Sequence, residues 1–297
     1  MTPTSPPQTL PKFESSVSLL CWAYNEELLI GGFLERAQAL VASCVDDYEI
    51  VVIDDCSTDR TNAIVQAAVE ANPRIRVIRN AVNRNVGYCL KLAVKSASKQ
   101  YMFWQTVDWS YDIANLRAFL ELLKTHDVVV GVRRAPVQCR VGVFKPLAGL
   151  LKLFGVKHIT RRSDTLGKAV VSVLNYLLIR VLYRVPVSDF QNVVFYPTKM
   201  AQSFTLEANS AFSNPETLIK SYWAGASIAE VPISFIPRSA GEAKGTKFPA
   251  IKAAVRDVVG FWWRWVVLGG IEKKTTGRVR RLVPAEWPER SPQPPTP

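Results

Sequence analysis

Along the first 130 residues, short apolar runs recur at regular intervals, and each one stops at polar groups. Ser16–Cys21 (SVSLLC), Ile50–Ile53 within EIVVIDDCSTDRT at 49–61, Arg74–Arg79 (RIRVIR), Tyr101–Trp104 and Asp127–Val132 (DVVVGV) read as strands. Ile50, Val51, Val52 and Ile53 are β-branched and apolar without alternation, as expected of a strand covered on both faces. Between these runs, Leu28–Val41, Arg60–Ala71, Tyr88–Ser98 and Leu116–Lys124 place apolar residues at helical spacing. Ser57, Thr58 and Asp59 are expected to cap the second of these helices. Strand and helix in strict alternation imply a right-handed α/β unit with a mostly parallel sheet. The polar ends of the strands then gather on one sheet edge, where such folds bind ligands. Asp54 and Asp55 stand there either as ligand groups or as a turn and helix cap.

The second half is patterned differently. Val141–Val156 is apolar apart from Lys145 and Lys152, and Leu166–Tyr183 carries a narrow polar stripe of Lys168, Ser172 and Asn175. Thr217–Trp223 reads as a helix. Ile251–Leu268 sets Lys252, Arg256 and Arg264 on one stripe, with Trp262, Trp263 and Trp265 near its end, which suits a helix lying in a membrane interface. No run spans a bilayer: Ala169–Ile179, about 11 residues, reaches roughly 16 Å as a helix against a hydrocarbon core of about 30 Å.

Composition sharpens this division. Residues 1–130 hold 12 Lys/Arg against 15 Asp/Glu, residues 131–297 hold 25 against 10, and the net charge is +12. The basic half is expected to face an anionic partner: nucleic acid, a membrane surface or a phosphorylated substrate. Acidic strand ends argue against nucleic acid. Five scattered cysteines suit a reducing compartment, and with two histidines in all any metal is expected to be hard and oxygen-bound. The chain opens on Pro and Ser with no signal-peptide pattern, and the stretches 1–12 and 284–297, rich in Pro, are expected to be disordered.

AYNEE at 23–27, VVIDDCSTD at 51–59, NVG at 85–87, TVD at 106–108, VVVGVR at 128–133 and EVPISFIPRSAGEAKG at 230–245 follow one another at a telling spacing. In this order the chain resembles family 2 glycosyltransferases, and within them the dolichol-phosphate mannose synthase branch with its bacterial polyprenyl-phosphate relatives. The resemblance runs from about Val17 to Gly245. It implies a GT-A fold and a catalytic domain over 13–245; the helix pattern and charge beyond it lead to the expectation of an amphipathic, basic, membrane-associating segment over 246–283. It also implies an inverting transferase that takes a sugar from a UDP- or GDP-sugar to a lipid phosphate, working peripherally on the cytoplasmic face of a membrane. A saccharide acceptor, or a nucleotide-sugar-binding homologue without turnover, remains open.

By the same resemblance, Ala23, Tyr24, Glu26, Asp54 and Asp55 would line the nucleotide pocket, because carboxylates accept hydrogen bonds from a base edge and a ribose. Asp108 would hold a Mg2+ or Mn2+ ion, with Ser110 as an extra ligand, and the metal would act as a Lewis acid on the departing diphosphate. Arg133, Arg162, Arg238 and Lys244 match basic positions used for phosphates, which guanidinium groups grip bidentately. Asp189 and Gln191, in SDFQNV at 188–193, occupy the acceptor-side loop. Glu216 is expected either as a general base or as a first-turn helix carboxylate; an anionic acceptor phosphate needs no base. Catalysis is thus expected from Asp108, Arg133 and Glu216. Two departures stand out: Thr106 replaces the first carboxylate of the usual Asp-x-Asp, and Trp22 replaces a proline.

Overall fold

A computed structural model describes residues 11–134, 138–140, 148–153, 158–160, 166–236, 238–241, 248–271 and 275–283. Arg162, Lys244, most of the 141–156 run and nearly all of the two terminal tails lie outside the described residues. In chain order the elements are β1 (Val17–Ala23), α1 (Ile30–Cys44), β2 (Tyr48–Asp54), α2 (Thr61–Ala71), β3 (Ile75–Arg79), α3 (Asn85–Ser96), β4 (Tyr101–Trp104), α4 (Leu116–Leu122) and β5 (Val128–Arg134). A short antiparallel hairpin, β6 (Gln138–Arg140) with β7 (His158–Thr160), brackets α5 (Ala148–Leu153). Then come α6 (Leu166–Tyr183), β8 (Val193–Pro197), α7 (Thr198–Ser203), α8 (Ser213–Trp223), β9 (Ser227–Ser234), α9 (Phe248–Trp262), a π-helical turn (Trp263–Val267) and β10 (Arg278–Arg281).

Eight strands form one sheet in the order β10-β9-β5-β8-β4-β1-β2-β3. Within it β8 runs antiparallel to both neighbours, β4 and β5, and every other pairing is parallel. The reversal has a direct consequence for the site. It brings the loop that precedes β8 to the same edge as the carboxyl ends of the other strands.

All seven residues of β2 are buried, because both faces of the sheet are covered. Ile50 and Val52 point with Val17, Leu19 and Phe103 into a layer under α1, α2 and α4, where Phe33, Val65 and Phe119 meet them. Val51 and Ile53 point the other way with Leu20, Met102 and Trp104, against Leu90 of α3, Ile179 of α6 and Ile219 of α8. A continuous apolar run is thus the signature of a strand between two layers.

The C-terminal segment belongs to this second layer. Val258 and Trp265 are buried there, Trp265 against Tyr183, Phe212 and Phe261, and the Tyr183 hydroxyl donates to the Val258 carbonyl at 2.6 Å. The indole of Trp265 donates to Glu207 at 3.0 Å. Of the three tryptophans expected together at an interface, Trp265 is therefore a core residue, Trp262 is half-buried and Trp263 is exposed. Helical spacing alone could not say which side of this tryptophan cluster turns inward. β10 completes the sheet beside β9, and Leu282 beyond it is buried in the first layer.

Candidate active site

The turns after β1 and β2 are stitched into one unit. Asp55 N–H donates to the Ala23 carbonyl at 2.9 Å, Asn25 N–H to Ser57 Oγ at 3.0 Å, Thr58 N–H to Asn25 Oδ1 at 2.8 Å, and Glu26 N–H to Thr61 Oγ1 at 2.8 Å. Asn25 (φ 51°) and Cys56 (φ 64°) take the left-handed backbone these reversals need. The side chains read as caps of α2 divide the work: Asp59 accepts the Thr61 N–H at 2.9 Å, while Ser57 and Thr58 bond to Asn25. Tyr24, half-buried, sits on the same turn.

Asp54 and Asp55 are both buried. Asp54 Oδ1 accepts the Ser57 N–H at 3.0 Å, and its Oδ2, which takes no hydrogen bond, lies 3.2 Å from Arg79 Nε. Asp55 accepts from Asn80 Nδ2 at 2.7 Å, Arg84 N–H at 2.8 Å and Asn85 N–H at 2.9 Å, so it fixes the loop that opens α3. The structure gives both aspartates partners within the protein, of which Arg79 and Asn80 carry no signal in the sequence pattern.

Asp108 lies on the turn after β4. Its Oδ1 accepts from Ser110 Oγ at 2.7 Å and Ser110 N–H at 3.2 Å. Thr106 Oγ1 accepts the same N–H at 3.1 Å, so the residue in place of a carboxylate closes the turn. Trp109 is held at φ 54°, a conformation costly for a bulky side chain, with Arg36 4.3 Å over its ring and Phe33 packed against it. Such strain beside Asp108 marks the turn as fixed by its surroundings.

Arg238 reaches this turn from beyond β9. Its Nη2 donates to Glu26 Oε2, and its Nη1 lies 3.7 Å from Asp108 Oδ2. One guanidinium therefore sits between carboxylates from the ends of two adjacent strands, β1 and β4, and all three side chains keep a minor exposed fraction, 12% for Glu26, 17% for Asp108 and 19% for Arg238.

A second pair closes the next part of the edge. Arg133 at the end of β5 grips Asp189 bidentately, Nε to Oδ2 at 2.8 Å and Nη2 to Oδ1 at 3.0 Å. Burial would by itself lower the Arg133 pKa, but the adjacent Asp189 charge outweighs it and holds the guanidinium above its ordinary value. The Tyr111 hydroxyl donates to the Gln191 carbonyl at 3.3 Å, and burial pushes that phenol up to about 12. Gln191 Nε2 donates to Ala211 O at 3.0 Å.

Glu216 is placed otherwise. It is fully buried in the first turn of α8 and accepts from Glu207 N–H at 2.8 Å, Ala208 N–H at 2.9 Å and Lys220 Nζ at 2.6 Å. None of those partners belongs to the groups around Asp108. For a divalent metal, no cluster of three or more His, Cys, Asp or Glu side chains exists among the described residues. Asp108 with the Ser110 hydroxyl fits one hard-oxygen arm of such a site, the remaining oxygens having to come from a bound diphosphate.

Residues 18–181 match the sequence profile described as "Glycosyl transferase family 2", just over half of the chain. An undecaprenyl-phosphate 4-deoxy-4-formamido-L-arabinose transferase from Edwardsiella ictaluri (strain 93-146) is 38% identical over 71 residues, 24% of this chain and 22% of that protein. The lipopolysaccharide core biosynthesis glycosyltransferase LpsC from Rhizobium meliloti (strain 1021) is 30% identical over 126 residues, 42% of this chain and 43% of that one. The chain thus aligns with less than half the length of these curated relatives. Among solved structures, glucosyl-3-phosphoglycerate synthase from Mycobacterium tuberculosis in complex with Mn2+, uridine diphosphate and phosphoglyceric acid superposes with a TM-score of 0.59 at 16% identity, covering 94% of this chain and 87% of that one. That likeness establishes the GT-A fold.

Proposed function

The chain belongs to glycosyl transferase family 2, and from that premise we propose that it transfers a sugar, with inversion, from a UDP- or GDP-sugar to a polyprenyl phosphate at a membrane surface. The observation that carries the reading is the meeting of Glu26, Asp108 and Arg238 at the carboxyl edge of the parallel strands, where a sheet of this kind binds its ligand. Glu26 and the half-buried Tyr24 would face the nucleoside, while Asp54 and Asp55 would shape that pocket through the turns they hold. Arg238 would meet the diphosphate, whose charge rises as the glycosidic bond breaks. Mg2+ or Mn2+, when bound, would supply Lewis-acid stabilisation of the leaving group, with Asp108 and the Ser110 hydroxyl as its protein partners. An acceptor phosphate is already anionic, so direct displacement needs no proton abstraction, which agrees with the enclosed position of Glu216. The Arg133–Asp189 pair would set the shape of the acceptor side.

Support for the lipid acceptor comes from the name of the Edwardsiella relative and from the surface of the second half. Leu174, Val255, Val259, Trp263 and Leu268 are exposed apolar residues on α6, α9 and the segment that follows. No described helix is long and apolar enough to cross a membrane, so the contact would be peripheral and, for a nucleotide-sugar enzyme, on the cytoplasmic face. A second reading, a nucleotide-sugar binder without turnover, is favoured by Thr106 alone.

The test is a thermal-shift screen of UDP-, GDP- and dTDP-sugars with and without Mn2+, since a ligand of the folded state raises apparent stability by mass action, followed by transfer of labelled sugar to a polyprenyl phosphate. Stabilisation by one nucleotide-sugar with product formation is expected. Binding without product selects the second reading, and no binding by any of them defeats both.

A further inference from the structure

The candidate site already contains a cation, and the chain is built to keep it there. The segment bearing Asp108 and the segment bearing Arg238 are tied to each other: Asp112 N–H donates to Ser234 O at 3.1 Å, Ile236 N–H donates to Ser110 O at 2.9 Å, and Tyr111 bridges Phe235 between them. Arg238 Nε donates to its own loop at Ala240 O, 2.5 Å away, which turns both Nη atoms toward the carboxylates. The loop closes at Gly241 (φ 74°), where an added Cβ would stand 2.9 Å from Arg238 Nη2. The guanidinium is thus seated by its backbone before any ligand arrives.

Counting charges shows what this seating does. Among the described residues, Glu26 and Asp108 bring two negative charges and Arg238 one positive, and Thr106 adds none. A bare divalent ion approaching Asp108 would meet one carboxylate, a hydroxyl and a like-charged neighbour, a poor set for a cation that wants six or more oxygens. A nucleoside diphosphate reverses the balance, because its anionic oxygens can be shared by the ion and by the guanidinium fork.

We propose that Arg238 is a resident cation of this site: it offsets one of the two charges of Glu26 and Asp108 in the donor-free protein, so that a divalent metal binds firmly only together with the nucleoside diphosphate. This rests on the nucleotide-sugar reading above. In that role Arg238 also supplies positive charge toward the diphosphate, offsetting the weaker metal hold that Thr106 leaves.

The experiment measures Mn2+ binding to the full chain by the electron paramagnetic resonance signal of the free ion, with no activity required. Wild-type protein without nucleotide is expected to bind Mn2+ weakly, and Arg238→Gln at least about tenfold more tightly, equivalent to about 1.4 kcal/mol. Unchanged or weaker binding by a folded Arg238→Gln overturns the proposal. Wild-type protein gives a second reading that needs no variant: UDP or GDP is expected to tighten Mn2+ binding by about a hundredfold or more, and equal affinity with and without a nucleotide that itself binds overturns the proposal. If neither nucleotide binds at all, the donor reading fails, while the Mn2+ affinity of Arg238→Gln still decides the role of the guanidinium.

Discussion

Asp108 keeps its geometry through Oδ1, which accepts from both Ser110 Oγ and Ser110 N–H, so Asp108→Asn removes the charge while leaving an acceptor for the same turn. Melting is expected to stay near wild type while transfer falls by about a hundredfold or more, roughly 2.7 kcal/mol of barrier; a rate within about threefold of wild type would remove Asp108 from the reaction. Glu216→Gln is expected to behave oppositely. It takes from the buried Lys220 ammonium the carboxylate 2.6 Å away and leaves only the more distant Glu207 at 3.6 Å, at a cost of about 3 kcal/mol in denaturant unfolding, with transfer per folded molecule nearly unchanged. A fully folded Glu216→Gln that has lost transfer would return Glu216 to the chemistry. Two other buried carboxylates set the response to pH. Burial alone would raise the Glu49 pKa, but hydrogen bonds from Ser18, Ser98 and Arg76 outweigh it and hold it below the ordinary value. Its stabilisation is therefore complete above the unfolded pKa and is lost as pH falls through the folded one. Burial holds Glu230 above its ordinary value despite Ser188 and Arg281, so its contribution is present at low pH and lost as pH rises through the folded pKa. Urea midpoints measured across acid pH are expected to fall less steeply for Glu49→Gln than for wild type. At this scale the sequence marks which carboxylates end strands, since an apolar run that stops at an acid is visible in one dimension. Which of them face inward depends on partners such as Asn80 and Arg79, whose approach no local pattern encodes.

Among the elements, β1 to β5 and the helices between them are legible because each apolar run is bounded by polar turns and the two faces of the sheet are both covered. β8 was not legible: Val193–Tyr196 is a short apolar run that a buried helix would share, and strand direction leaves no trace in composition. β10, with the sequence Arg-Val-Arg-Arg, has no apolar face and owes its conformation to β9. The C-terminal helix shows the same limit in another form. Its tryptophans match an interfacial helix and a packed one equally well until Phe212, Tyr183 and Glu207 are found against Trp265. Trp265→Ala is accordingly expected to cost about 3–5 kcal/mol in urea unfolding, and truncation after Gly245 to give protein that does not fold to a soluble state. A Trp265→Ala protein with the wild-type midpoint would place that indole outside the core.

For the whole molecule, the uneven charge and the exposed apolar residues of α6 and α9 belong to the same half of the chain. Binding to anionic vesicles is expected to weaken with salt, each Lys or Arg at the leaflet contributing about 1 kcal/mol, and to weaken again in Trp263→Ser, which removes an exposed indole without touching the core. Sedimentation that is insensitive to both would exclude this face as the contact. The reversed strand β8 carries a further consequence, for the order in which the chain leaves the ribosome. β1 to β4 are complete by residue 104, yet β4 then waits for Val193 to emerge before its outer side is paired. In that interval Tyr101-Met102-Phe103-Trp104 is an open, apolar sheet edge, the kind that recruits other chains. A translation product cut short before β8 would carry the acidic strand ends without Arg238, and with its stickiest edge bare, so quality control has reason to treat half of this protein as waste.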